Sequence, residues 1–311
     1  MTANRMAGNR CALVIHGGAG TISPEQITPE IERDLRAGLQ RSLEAGHGIL
    51  KNGGSSLDAV VAAVRVLEDD PLFNAGRGAV FTSAGTHEMD AAVMDGGTLK
   101  AGAVGGTRSV KNPILLARAI METSPHVILA GQGAEDFARK LGLEVVEQKY
   151  FYTERRWRAL ERVRRSRTEP LSDADRHGTV GAVALDQSGN LAAATSTGGN
   201  TNKWPGRIGD TPVIGAGTYA NNKTCAVSAT GDGEFFIRAV AGYDLSALME
   251  YGGMNLGEAA RAVIDKVGAL GGTGGLIAID REGNIALPFN TTGMYRGYVD
   301  IDGVSSVTIY K

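Results

Sequence analysis

Two stretches far apart in the chain share one pattern. Gly181-Ala-Val-Ala-Leu-Asp-Gln-Ser-Gly-Asn-Leu-Ala192 and Gly275-Leu-Ile-Ala-Ile-Asp-Arg-Glu-Gly-Asn-Ile-Ala286 each run small apolar residues into a polar turn and out again, as a β-hairpin does. Such strands are apolar on both faces, which suits a sheet covered by a second sheet on one side and by helices on the other. A third hairpin is read at Met89–Met94 and Leu99–Thr107, around Asp95-Gly96-Gly97-Thr98. Strands are also expected at Cys11–Ile15, ending in a glycine loop at 16–20, and at Val127–Ala130, Ala226–Ala229 and Val304–Tyr310. Four-residue spacing of Ile31, Leu35, Leu39 and Leu43 predicts one helix. Leu57, Val60, Val61, Val64 and Leu67 predict another, capped by Ser55 or Ser56. Further helices are read from Asn112-Pro113 to about Glu122, over Glu135–Leu141, from about Glu234 to Tyr251, and over Leu256–Val267. Hairpins and helices come in groups rather than as βαβ units. The expected fold is therefore α+β, a four-layer αββα sandwich of two mainly antiparallel sheets.

With 42% hydrophobic and 21% charged residues in 311, the chain can bury a sizeable core. A net charge of −2 gives no overall footprint for nucleic acid or an anionic membrane, so a small-molecule ligand is expected. Cys11 and Cys225 form no metal or disulfide pattern, and the apolar run at Cys11–Ile15 is too short for a signal-peptide core. These features predict a cytoplasmic protein. Residues 149–177 are rich in Lys and Arg. The stretch reads either as an RNA-binding arm or as a solvated linker, and the linker is preferred because Leu160 and Val163 offer little apolar surface. Gly215-Ala-Gly-Thr-Tyr-Ala220 matches a dinucleotide fingerprint but leads into another strand rather than a helix. His16 stands in an oxyanion-like His-Gly-Gly loop with no nucleophile elbow to serve, and is read as a buried or loop histidine.

The stretch that carries chemistry is His177-Gly-Thr-Val-Gly-Ala-Val183. A threonine hydroxyl is a weak nucleophile without an adjacent base, and the nearest available base is its own α-amine, which exists only after a cut before Thr179. That amine has a pKa near 8, close to where a general base works best. Gly178, lacking a Cβ, can take the strained conformation an N-to-O acyl shift requires.

At these residues the chain resembles the plant-type (type 2) L-asparaginase and isoaspartyl peptidase family of N-terminal nucleophile hydrolases. The likeness extends through His16–Gly20, Pro71–Gly76, Glu88–Ala92, Gly102–Val104, Gly178–Gly181, Thr195–Gly199, Pro205–Arg207, Gly209-Asp210, Thr230–Glu234 and Gly271-Gly272 with Gly274-Gly275. It implies the same αββα fold and self-cleavage into an α subunit of residues 1–178 and a β subunit of 179–311. Thr179 would attack β-aspartyl amides, with hydrolysis of isoaspartyl dipeptides and L-asparagine to aspartate. It further implies that Thr197 hydrogen-bonds near the nucleophile, that Thr230 and Gly231 form the oxyanion site, and that Asn74 lies close by. Arg207 would grip the substrate α-carboxylate and Asp210 its α-ammonium, with Gly231 and Gly233 as backbone contacts. No catalytic cofactor is implied. A structural sodium ion would sit on carbonyl oxygens of Leu67, Glu68, Asp70, Phe73, Ala75 and Arg77, and two αβ heterodimers would pair. A glycosylasparaginase of the same fold, or a non-catalytic binding protein on this scaffold, are the alternatives. Retention of Thr179, Thr197, Arg207, Asp210 and Thr230 together speaks against the second.

Overall fold

A computed structural model describes residues 10–20, 22, 27–165 and 178–311. Among these, β1 is Ala12–Gly20, followed by helices α1 (Pro29–Lys51) and α2 (Ser56–Asp69), then β2 (Met89–Asp95) and β3 (Ala101–Thr107). Helix α3 (Pro113–Thr123), β4 (Ile128–Ala130), α4 (Gly131–Lys140) and α5 (Glu154–Arg165) complete the first part. After residue 178 come β5 (Val180–Leu185), β6 (Leu191–Thr197), β7 (Thr218–Ala220) and β8 (Cys225–Gly231). Helices α6 (Gly233–Ala239), α7 (Ala241–Glu250) and α8 (Leu256–Ala269) lead to β9 (Gly274–Asp280), β10 (Ile285–Ala286), β11 (Gly293–Val299) and β12 (Ser305–Tyr310).

The strands form an eight-stranded sheet, ordered β12-β11-β1-β5-β6-β2-β3-β4, and a four-stranded sheet, β10-β9-β8-β7. Every pairing is antiparallel except β3 with β4. Alternation along each strand builds the layers. On β1, Leu13 and Ile15 join the core formed with α1 and α2, while Ala12 and Val14 join the layer between the sheets. On β9, Ile277 and Ile279 face that inner layer, whereas Leu276 and Ala278 pack with α7 and α8. This is the expected αββα order. The hairpin turns repeat one device: Asp186 Oδ1 accepts from Ser188 and Asn190 N–H, and Asp280 Oδ1 from Glu282 and Asn284 N–H, the local bonding that makes Asp a turn residue.

Three expectations change. The glycine loop at 16–20 is strand, since β1 continues through it with a bulge between His16 and Gly18. The long helix after Glu234 is two helices. Val240 at φ +50° breaks it, and the N–H groups of Gly242 and Tyr243 donate to Ala216 and Gly215 carbonyls, so tertiary bonds fix the kink. The solvated linker is corrected for 149–165. Phe151, Arg156, Ala159 and Leu160 are buried there, and Trp157 meets Phe81 edge-on at 5.3 Å. Its remainder, 166–177 with His177, lies outside the described residues. Among the described residues no helix is long and apolar enough to cross a membrane.

Candidate active site

Thr179 stands immediately before β5, and Thr197 ends β6, its antiparallel neighbour. The pairing brings the two hydroxyls together: Thr179 Oγ1 donates to Thr197 Oγ1 at 3.1 Å, and Thr197 Oγ1 also accepts the Gly199 N–H at 2.9 Å. Both threonines are buried. Gly178 has φ +140°, a conformation side chains rarely adopt. It is closely walled, because a Cβ on Gly18 would come within 2.7 Å of Gly178 Cα and one on Gly178 within 3.2 Å of Asn74 Cβ.

Asn74 ties two loops together. Its Nδ2 donates to Gly199 O at 2.7 Å, its Oδ1 accepts Val80 N–H at 2.9 Å, and its carbonyl accepts Gly198 N–H at 3.0 Å. Thr230 comes from the second sheet. Its Oγ1 accepts the Ala19 N–H at 3.3 Å, one residue from the Gly18 that abuts Gly178. Gly231 follows at φ +134°.

The other end of the site is charged. Arg207 forms a fork with Glu234, with Nε–Oε1 at 3.0 Å and Nη2–Oε2 at 2.9 Å. Arg207 thus pairs with Glu234 and not with Asp210. Asp210 is buried, its Oδ2 has no partner among the described residues, and burial pushes its pKa from 3.8 to about 7. Gly233 is needed here, since a Cβ would come within 2.7 Å of Asp210 Oδ1 and 3.1 Å of Arg207 Nη2. Gly199 joins the two ends: its N–H serves Thr197, and a Cβ on it would meet Arg207 Nη1 at 3.2 Å.

Several contributors were not singled out as site residues from sequence. Glu234 was legible only as the last residue of the Thr230–Glu234 motif. Buried Asp90 and Lys203 lie behind Arg207, with Asp90 Oδ1 accepting Gly106 N–H at 2.8 Å and Lys203 Nζ donating to Glu88 O at 2.6 Å. His16 belongs to a buried polar chain between the sheets. Its Nε2 is 2.8 Å from Ser228 Oγ, which is 2.8 Å from Thr195 Oγ1, to which Thr218 Oγ1 donates at 2.7 Å. Burial lowers the His16 pKa to about 3, so the ring is neutral at working pH. The sequence reading is a core or loop histidine bonded to backbone; His16 is in the core, and its Nε2 meets a side chain of the opposite sheet.

The 67–77 stretch presents backbone, not side chains. Glu68 Oε1 accepts Ser196 Oγ at 2.6 Å and Ile114 N–H at 2.9 Å, and Asp70 pairs with Arg41 at 2.9 Å. The carbonyls of Glu68, Pro71 and Phe73 instead crowd the space that a Cβ on Gly76 or Gly78 would fill. Carbonyl oxygens at the C-terminal end of α2, which lack helical partners, are the donor type that a hard monovalent cation takes.

Similarity to known proteins agrees with this geometry. A family profile described as asparaginase matches residues 9–309. The isoaspartyl peptidase of Escherichia coli is 54% identical over 97% of both chains. The probable isoaspartyl peptidase/L-asparaginase 2 of Arabidopsis thaliana is 43% identical over 96% of this chain and 99% of its own. The isoaspartyl peptidase/L-asparaginase of Bos taurus is 43% identical over 91% of each. Two sheets layered with helices, and a threonine pair at the head of one hairpin, are thus found in a chain that belongs to the asparaginase family.

Proposed function

We propose that this chain is a β-aspartyl amidohydrolase that makes its own nucleophile and then hydrolyses isoaspartyl dipeptides and L-asparagine to aspartate. The observation that carries the reading is the Thr179 hydroxyl donating to Thr197 at 3.1 Å, directly after Gly178 at φ +140°. Before the cut, Thr179 Oγ1 adds to the Gly178 carbonyl and the C–N bond breaks, leaving an ester that water hydrolyses. The products are a Gly178 carboxylate and a free Thr179 amine.

In turnover that amine takes the hydroxyl proton as Oγ1 attacks the side-chain carbonyl of the substrate. Thr197 orients the nucleophile. Thr230 and the Gly231 backbone stabilise the developing oxyanion, a contribution commonly worth several kcal/mol. The proton passes to the departing ammonia or amino acid, and water releases aspartate from the acyl-enzyme. Arg207 holds the α-carboxylate through paired hydrogen bonds. Asp210, whose Oδ2 has no partner among the described residues, accepts the α-ammonium. Asn74 keeps the loops on either side of the nucleophile in register. A sodium ion on the 67–77 carbonyls would brace the end of α2 and take no part in the chemistry. Burial of both cysteines, each free, supports work in a reducing cytoplasm, and two αβ units are expected to pair.

N-terminal sequencing of the purified protein should find a second chain beginning Thr-Val-Gly-Ala. Steady-state assays should then rank β-aspartyl-leucine above asparagine in kcat/KM, because the departing amino acid adds contacts that can be used in the transition state. Glutamine and α-aspartyl-leucine should scarcely react. A fully active protein that stays one intact chain would overturn the mechanism, and efficient α-aspartyl cleavage would overturn the binding scheme.

A further inference from the structure

The Lys/Arg-rich segment is built against the bond that the proposed function cuts. Helix α5 turns Arg156, Ala159 and Leu160 to one face, the spacing of a buried stripe, and Arg156 is only 2% exposed. A guanidinium at that depth must be hydrogen-bonded, and its Nε donates to Gly78 O at 2.9 Å. Gly78 lies in the same short loop as Asn74, whose Oδ1 accepts Val80 N–H and whose Cβ borders Gly178. Outside this contact, α5 is clamped to the next part of the loop by Trp157 on Phe81 and by Arg164 Nη2 donating to Ser83 O at 2.6 Å.

Beside Gly178 a narrow crevice is walled by Gly17, Gly18, Asn74, Arg155 and Arg156. Gly178 therefore lies next to the first turn of α5. The wall beside Gly178, at its positive φ, is thus fixed from behind by Arg156.

We infer that Arg156 is a positioning residue for self-cleavage, holding the loop of Asn74 against Gly178 so that the bond is presented to Thr179. The inference rests on the self-cleavage reading. It asks more of Arg156 before the cut than after, because Gly178 is released once the peptide breaks.

The test follows cutting of freshly purified protein over time, with turnover measured per cut chain and Tm recorded. Arg156→Ala should slow cutting on the order of a hundredfold, as expected when a reacting bond shifts by about an ångström. Its turnover per cut chain should fall at least about tenfold less than its cutting rate. Arg156→Lys should recover part of the rate by restoring a donor and a charge without the planar fork. Trp157→Ala, on the same helix but outside the crevice, should cut like the parent. If Arg156→Ala does not accumulate as folded protein, Arg156→Lys carries the comparison, with slower cutting at an unchanged Tm as the expected result. Cutting at the parent rate in the Arg156 variants would overturn the inference. So would an equal loss of cutting and turnover, or slowing by Trp157→Ala to the same degree, since each would mark α5 as a purely structural brace. A parent protein that never cuts itself would instead overturn the self-cleavage reading and is recognised without any variant.

Discussion

The two ends of this site are built from opposite materials. Around Thr179 the side chains are hydroxyls and an amide, supplied by Thr197, Thr230 and Asn74, and a neighbouring imidazole, His16, is held neutral by burial. Around Arg207 they are charges: Glu234, Asp210, Asp90 and Lys203. The difference teaches where each end gets its reactivity. Among the described residues the hydroxyl end offers no side-chain base close to neutral pKa, so under the proposed mechanism it gains its base for turnover only when a peptide bond is broken and an amine appears. The charged end is poised from the moment of folding, and its properties follow from how much water each group has lost.

The sharpest way to break this contrast is to remove the hydroxyl end's one reactive group. Thr179→Ala should remain a single chain without detectable hydrolysis, while its Tm stays near that of the parent because the strand keeps its ladder to β1 and β6. Gel electrophoresis and an aspartate-release assay read both. A cut product from this variant would mean that a group other than Thr179 does the chemistry.

At the charged end the next largest effect belongs to Arg207. Arg207→Ala removes a paired, charge-assisted contact worth roughly 2 kcal/mol or more, on the order of thirtyfold in KM for asparagine. Cutting at Gly178 should be largely intact, since that step uses the chain's own peptide and no α-carboxylate. Arg207→Lys should restore little, because a point charge cannot reproduce the fork. Equal losses in cutting and turnover would show that the two ends are not separable.

Asp210 makes the contrast pH-dependent. Its folded pKa of about 7 lies above the ordinary 3.8, so burial favours the neutral acid. The stability this group contributes is complete below about pH 4 and is lost as pH rises to about 7. Recognition runs the other way, because an ammonium is held by the carboxylate. KM for asparagine should therefore rise as pH falls below about 7, approaching tenfold per unit. Asp210→Asn should abolish that pH dependence, bind substrate poorly, and raise Tm more at pH 8 than at pH 5. A flat KM between pH 5 and 8 in the parent would remove Asp210 from the ammonium site.

How much of this was legible in sequence divides along the same line. The hairpins around Gly189-Asn190 and Gly283-Asn284, and the outer helices, follow from local chemistry: period-two strands, Asp-anchored turns, a Ser55 cap that accepts Asp58 N–H. Thr179 stood out because its chemistry is intrinsic to one residue and its neighbour. What escaped depends on long-range partners. The Glu234 grip on Arg207, the His16–Ser228 contact across the sheets and the Arg156 bond to Gly78 join residues whose meeting no local spacing encodes. The helix break at Val240 is of the same kind, imposed by carbonyls of the 215–216 loop. The high charge of 149–165 concealed its stripe of Arg156, Ala159 and Leu160, because an arginine on an apolar face reads as an interruption until its partner is known.

The smallest expected effect is the most discriminating about how the charged end waits for substrate. Glu234 fills the Arg207 fork, yet its side chain is 56% exposed against 15% for Arg207. Two opposing consequences are conceivable on physical grounds: Glu234 holds the guanidinium in position, or it competes with the incoming carboxylate for the same donors. The stem of Arg207 is already confined, since Cβ atoms on Gly199, Gly209 or Gly233 would lie within about 3.2 Å of the guanidinium, so little ordering remains for Glu234 to supply. Competition should win, but weakly, because an exposed partner is well solvated and such pairs are worth about 1 kcal/mol or less. Glu234→Gln is thus expected to lower KM for asparagine roughly two- to fivefold with kcat unchanged. Added salt should narrow the difference between the two proteins, as it screens the pair that the variant lacks. A raised KM in Glu234→Gln would reverse the assignment and make Glu234 part of the grip on substrate.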